Sequence, residues 1–289
     1  MATTLILVAV DARGQRDAAF ERALALARQS GAELYLLHAV PANQSFGHGA
    51  ARRLERLADM RRRAEEAGVR VRSVEQHGDP AGIIELHANA RGADLIVMGG
   101  EPRRAWSRRR SAVAERVIRR TKVPTLVVPS HGPAQPLPFR HVLVAVDRSR
   151  ASEEVLRRAM GLTANEAART TLLHTVRSLE AADAIHGAAR WRVPEYRAHA
   201  MADPRRRLER LASEVPPGFE TRVRVSTGPA AASILRHADG LDADLVVVGR
   251  SRGFKVLGST ALRVLRKSER ALLVVPESNS ARARQALAA

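Results

Sequence analysis

The chain is 289 residues long, enough for about two ordinary domains, and it has no cysteine, which excludes disulfides, thiolate metal sites and cysteine nucleophiles. Hydrophobic residues at 45% and charged residues at 27% describe a folded globular protein and not a disordered one. The net charge of +18 points first to a polyanion, but it is shared evenly, +9 in residues 1–140 and +9 in residues 141–289, and aromatic residues are only 3%. Without a basic tail or a supply of stacking rings, a nucleic-acid interface is disfavoured.

The first element is Leu5-Ile6-Leu7-Val8-Ala9-Val10, apolar throughout and ended by Asp11. No basic residue precedes it and no small-residue cleavage site follows it, so it reads as a buried strand and not as a signal peptide. No apolar run approaches the ~20 residues of a membrane span; the expectation is a cytoplasmic protein without membrane contact.

Ala19, Ala23, Leu24 and Ala27 then fall at helical spacing and stop at Gly31. Leu36-Leu37-His38-Ala39-Val40 is a second strand. Leu54, Leu57 and Ala58 are expected on one face of a second helix ending at Gly68. Asp79-Pro80 pairs an N-cap with a proline at the first helical position. The helix it opens carries Ile83, Ile84 and Leu86 and ends by Gly92. Ala93-Asp94-Leu95-Ile96-Val97-Met98-Gly99 is another strand. Val113, Val117 and Ile118 mark a fourth helix, and Thr125-Leu126-Val127-Val128-Pro129 closes the unit.

The unit then repeats. The first strand recurs as His141-Val142-Leu143-Val144-Ala145-Val146-Asp147 and the second as Leu172-Leu173-His174-Thr175-Val176, both offset by 136 residues. Ala243-Asp244-Leu245-Val246-Val247-Val248-Gly249 is offset by 150, and Leu272-Leu273-Val274-Val275-Pro276 by 147. Two copies of a ~140-residue unit are a duplicated domain and not a solenoid. The reading is residues 1–130 as a degenerate first domain, 131–139 as a Pro/Gly-rich linker, and 140–289 as a second domain. An insertion near residues 181–197, with Trp191 and Tyr196, suits a lid or a partner surface equally. Strands that are apolar on both faces belong to a parallel sheet covered by helices on each side. Each copy is therefore an α/β doubly wound domain.

In such a sheet a ligand sits beyond the carboxyl ends of the strands. In the second copy these positions are Asp147, Val176 and the stretch Gly249-Arg250-Ser251-Arg252-Gly253-Phe254-Lys255-Val256-Leu257-Gly258-Ser259-Thr260. Glycines admit an anion close to the backbone, and Ser259 and Thr260 open a helix whose free N–H groups favour phosphate. Arg250, Arg252 and Lys255 add positive charge. A glycine-rich surface turn with a serine N-cap fits the same letters. In the first copy Ser111 and Ala112 stand where the second has Gly258 and Ser259, so a Cβ blocks the approach and the hydroxyl is lost. Arg103, Arg104, Arg108, Arg109 and Arg110 crowd that loop, as a solvated surface or as an anion dock. Ser149 and Ser152 suit either a phosphate or the start of a helix. His38 and His174 read as polar caps on buried strands, and Asp94 and Asp244 as caps of neighbouring turns. No nucleophile elbow, zinc-protease motif or Walker lysine is present.

The doubled strand–Asp, strand–Leu-His-x-Val, Ala-Asp-Leu-[IV]-Val before a glycine and closing Leu-Val-Val-Pro, with Gly-Ser-Thr-Ala in the second copy, resemble the universal stress protein family over nearly the whole chain. That resemblance implies five-stranded parallel sheets of order 3-2-1-4-5, pairing through their last strands into an intramolecular pseudo-dimer. It also implies ATP or another adenine nucleotide, with Mg accompanying it. Asp147 and Val176 would take the adenosine end, Gly258 and Ser259 the phosphates, and Gly249 and Gly253 would shape the loop beside Thr260. The spacing Gly249-x3-Gly253-x4-Gly258-Ser259 departs from the family's Gly-x2-Gly-x9-Gly-[ST], being four residues shorter from first glycine to last. The expected function is non-catalytic stress response through nucleotide binding in the second domain, with a regulatory protein partner and a homodimer of the tandem chain as further associations. A nucleotide-free scaffold for a protein or polyanion is the alternative. A slow ATPase would need a general base that the motifs do not supply.

Overall fold

The computed structural model describes residues 3–11, 17–41, 49–100, 108–129, 138–147, 149, 151–163, 168–176, 193–216, 219–250 and 259–277, with the backbone alone for 108–111, 193–200 and 259. The first copy runs β1 (Leu5–Ala9), α1 (Ala18–Ser30), β2 (Glu33–Val40), α2 (Ala50–Glu66), β3 (Val71–His77), α3 (Pro80–Ala90), β4 (Leu95–Gly100), α4 (Arg108–Arg120) and β5 (Thr125–Pro129). The second runs β6 (His141–Ala145), α5 (Ser152–Thr163), β7 (Arg169–Val176), α6 (Val193–Ser213), β8 (Thr221–Thr227), α7 (Ala230–Gly240), β9 (Leu245–Arg250), α8 (Ser259–Lys267) and β10 (Ala271–Pro276).

All ten strands form one sheet of order β3-β2-β1-β4-β5-β10-β9-β6-β7-β8. Within each copy every pairing is parallel and the order is 3-2-1-4-5, as the resemblance implies. The copies meet where β5 pairs antiparallel with β10, placing Leu126 opposite Leu273 and Val127 opposite Leu272. The two last strands thus protect each other's edges. The remaining edges, β3 and β8, carry Arg72, Arg222 and Arg224 at exposed positions, a charge pattern that discourages further pairing. Each face of the sheet is covered by a core that crosses the seam. One includes Leu126, Val128, Leu245 and Leu273, and the other Val127, Val246, Leu272 and Val274.

Local chemistry sets the helix limits. Gly31 takes φ +72° and its N–H bonds to the Ala27 carbonyl, closing α1 in the left-handed conformation that glycine tolerates. Asp79 caps α3 by accepting from the Gly82 N–H at 3.1 Å, with Pro80 behind it, as the Asp-Pro signal predicts. Two helix faces differ from expectation. In α2 the buried stripe is Leu57, Met60 and Ala64, while Leu54 is 52% exposed and Ala58 is exposed. At ~100° per residue, Leu54 lies about a quarter-turn off that stripe and Ala58 further still. In α3 Ile83 and Ile84 are buried but Leu86 is 59% exposed.

Asp94 and Asp244 cap the starts of the adjoining strands. Asp94 accepts from the Thr4 and Leu5 amides, and Asp244 from the Arg140 and His141 amides. Burial pushes the Asp244 carboxyl upward, against those amides and the charge of Arg22. Arg22 itself is buried over the Phe139 ring, 4.1 Å from its centroid, joining α1 to the start of the second domain. Burial lowers its guanidinium to about 10, so it stays charged at neutral pH.

Candidate functional site

The carboxyl ends of β6, β7 and β9 bring Asp147, Val176 and Gly249 to one end of the second half-sheet. This is the position at which doubly wound sheets hold ligands. His174 prepares it: its Nδ1 donates to the Val146 carbonyl at 2.8 Å, fixing the backbone immediately before Asp147. His38 makes the same bond to Val10 at 2.9 Å in the first copy. Both rings tie strands together, in keeping with their reading as strand caps.

Asp147 is exposed, and its Oδ1 accepts from the Ser149 amide at 2.8 Å and the Ser152 hydroxyl at 3.3 Å. Its Oδ2 makes no hydrogen bond among the described residues. Ser152 also donates to the Asp147 carbonyl at 3.0 Å. Of its two candidate roles it takes the local one, at the start of α5. Arg207 of α6 donates to the Ser149 carbonyl at 3.0 Å and steadies the same turn. Val176 is half-buried at the end of β7. A Cβ on Gly249 would lie 3.2 Å from Val155 Cγ2, so this glycine lets α5 close onto the end of β9.

Gly253 and Gly258 lie outside the described residues, as do Arg252 and Lys255. Ser259 is the first residue of α8 and Thr260, half-buried, the second. The first amides of a helix lack intrahelical partners. In the second copy those amides belong to Ser259, Thr260 and Ala261, directly after Gly258. In the first copy the helix begins earlier. α4 starts at Arg108, so Ala112, the counterpart of Ser259, is its fifth residue and its amide is committed to the helix. Arg103 and Arg104 lie outside the described residues, and for Arg108, Arg109 and Arg110 only the backbone is described. The insertion at 177–192, including Trp191, also lies outside them, and Tyr196 falls in α6.

The first copy differs again at its first strand. Asp17, the N-cap of α1, accepts from the Ala19 and Phe20 amides at 3.0 Å each and from the Asp11 amide at 2.9 Å. A carboxylate thus already occupies free amides at the start of α1. Burial pushes that carboxyl above the ordinary range despite the three amides. This side chain was not singled out by sequence reasoning, although an aspartate one residue before a helix is the usual signal.

Arg250 overturns one expectation. Its charge does not add to the phosphate cradle. The guanidinium crosses the seam, with Nη1 donating to the Ile118 and Arg119 carbonyls at 2.6 Å each and Nη2 to the Thr121 carbonyl at 2.7 Å. Those carbonyls sit at the end of α4, where the last turn lacks amide partners and the helix dipole favours a cation.

A model of the Universal stress protein family matches residues 3–129 and again residues 138–276. The chain belongs to the Universal stress protein family. A universal stress protein of Methanocaldococcus jannaschii is 29% identical over 136 residues, covering 43% of this chain and 80% of that protein. Among solved structures, a universal stress protein from Archaeoglobus fulgidus is similar over 97% of this chain and 98% of its own, at 20% identity and a TM-score of 0.71. A putative universal stress protein from Pseudomonas aeruginosa is similar over 99% and 98%, at 20% identity and a TM-score of 0.69. These two likenesses establish the tandem fold and nothing finer. As in the sequence, no helix among the described residues of this universal stress protein is long and apolar enough to cross a membrane.

Proposed function

We propose that this universal stress protein is a non-catalytic, cytoplasmic stress-response protein that binds ATP or another adenine nucleotide in its second domain. In this reading residues 140–289 form the nucleotide domain, residues 1–130 the structural copy and residues 131–139 the joint. The observation that carries it is the helix start. α8 begins at Ser259 itself, so free amides follow Gly258, whereas the equivalent residues of the first copy lie inside α4. Asp147, whose Oδ2 has no hydrogen bond among the described residues, and Val176 stand at neighbouring strand ends, where they would receive the adenosine. Gly249 and Gly253 shape the loop, Gly258 admits the phosphate, and Ser259 and Thr260 cap it. A bound nucleotide would bring Mg on its phosphates, as nucleotide chemistry requires of a triphosphate in water.

Mass spectrometry of the small molecules released on denaturing the purified protein tests this reading. An adenine nucleotide is expected, and its loss on Ser259→Ala should track a roughly 10–100-fold weaker affinity, the worth of one hydrogen bond to a charged group. Protein that carries no nucleotide and takes up none when ATP is supplied would instead favour a scaffold that binds a protein or polyanion.

A further inference from the structure

We infer that the first domain carries an acid-responsive clasp: the His87 ring, held between Tyr35 and Gln76, ties α3 to β2 and to the edge strand β3, and a proton gained by the ring releases the tie. The inference concerns the copy without the phosphate motif and does not depend on the nucleotide reading. Tyr35 lies in β2, Gln76 in β3 and His87 in the second half of α3. His87 Nδ1 is 2.9 Å from the Tyr35 hydroxyl, and its Nε2 is 2.5 Å from Gln76 Oε1. The Tyr35 and His87 rings also stack, with centroids 5.6 Å apart. An amide oxygen only accepts, so Nε2 carries the ring hydrogen and Nδ1 accepts from the Tyr35 hydroxyl. The ring is therefore neutral and both of its nitrogens are in use. A proton added at Nδ1 would point at the hydrogen of the Tyr35 hydroxyl. Tyr35 is buried, and its hydroxyl makes no other hydrogen bond among the described residues. Turning that hydroxyl away leaves its hydrogen without an acceptor, which is costly in a buried place.

The charges around the ring work in the same direction. Arg91 stands 5.0 Å from the centroid of the Tyr35 ring and repels a charge on His87. Burial first, and Arg91 second, hold the His87 ring below the ordinary histidine value. The neighbouring acids are engaged elsewhere. Glu33 of β2 pairs with Arg72 of β3 at 2.9 Å, towards the start of both strands. Asp79 pairs with Arg116 of α4 and Glu85 with Arg120 of α4, and Glu85 stands two residues before His87, about 200° around the helix. A ring lowered in the folded state stabilises above the value of the released ring, about 6.5. That contribution is lost as pH falls from there towards the lowered value. The second domain lacks the clasp: the repeat-equivalents of Tyr35, Gln76, His87 and Arg91 are Thr171, Ser226, His237 and Leu241. His237 turns its Nδ1 to the Ser233 carbonyl of its own helix at 2.8 Å, and Thr171 meets His141 Nε2 at 3.1 Å.

Hydrogen exchange and histidine NMR on the full chain test the clasp together. Exchange in α3 and β3 is compared at about pH 7.5 and about pH 5, on either side of the released ring's value, after correction for the intrinsic pH dependence of exchange. Opening in wild-type protein should rise roughly tenfold at the lower pH, and by no more than the about thirtyfold that a ring titrating near 6.5 after release can supply. His87→Gln, which cannot titrate, should bring that ratio close to one, with far-UV circular dichroism confirming that the variant is folded. The NMR titration reads the ring itself. His87 should titrate below the ordinary value in wild-type protein. It should move upward in Tyr35→Phe, which removes the donor to Nδ1, and in Arg91→Gln, which removes the repelling charge. The two variants give separate routes should one of them fold poorly. A wild-type ratio near one, an undiminished ratio in His87→Gln, a His87 ring that titrates at or above the ordinary value, or a titration unmoved in both Tyr35→Phe and Arg91→Gln would overturn the inference.

Discussion

Replacing Leu273 by alanine strikes the seam on which the pseudo-dimer depends. Leu273 is 1% exposed and faces Leu126, fully buried, across the antiparallel β5·β10 pair. Both belong to one core that also holds Val128 of the first domain and Leu245 of the second. Buried leucine-to-alanine changes cost ~2–5 kcal/mol, more where the surroundings cannot collapse. Here the flanking strands are fixed by ladders on both sides, so about 3.5 kcal/mol is expected for Leu273→Ala and a similar loss for Leu126→Ala. At about 2 cal/mol/K per residue over 289 residues, the midpoint should fall by roughly 6 °C. The two side chains also support each other as a cross-strand pair, worth up to about 1 kcal/mol. The double variant should therefore lose less than the two single losses together, by about that amount. Calorimetry and urea denaturation followed by circular dichroism measure both quantities, and one cooperative transition is expected because the core is continuous. Two resolved transitions of which only one moves, or additivity to within ~0.3 kcal/mol, would refute a shared core.

Two further outcomes follow from named contacts. Asp79→Ala removes the cap on the Gly82 amide and the exposed ion pair with Arg116; urea midpoints should show a loss of about 1 kcal/mol, mostly the cap, and Asp79→Asn should recover most of it. Glu115 sets an acid limit on the seam: burial raises its carboxyl, but hydrogen bonds from Arg119 and Arg266 prevail and hold it below the ordinary range. A carboxyl lowered in the folded state stabilises above the unfolded value, about 4.3, and that contribution fades as pH falls through the lowered folded value. The stability difference between wild type and Glu115→Gln should be constant above about pH 5 and shrink in more acid solution; a difference independent of pH would show that the Glu115 charge is idle.

The fold was legible because its signals are local. All-apolar strands announce two-sided burial, Asp79-Pro80 announces a helix start, and a repeat of the whole strand set announces a duplicated domain. The exposure of Leu54 and Leu86 was not legible, because hydrophobic identity alone does not say which side of a stripe a residue falls on. The destination of Arg250 was hidden for a different reason. Its partners lie 129–132 residues away in sequence, and a cation beside glycines reads as a phosphate ligand until the neighbouring helix end is seen. Asp17 was readable as an N-cap, but its simultaneous hold on the Asp11 amide depends on how the turn closes. The unequal helix starts at Arg108 and Ser259 separate the two copies more sharply than their glycine spacing does.

Calorimetric titration of the intact chain with Mg·ATP tests the central claim most directly. One nucleotide per chain is expected, with binding abolished by Gly258→Val, whose side chain blocks the approach to the start of α8, and unchanged by Ser111→Val at the equivalent first-domain position. Two nucleotides per chain, full affinity in Gly258→Val, or no binding by the wild type would contradict it.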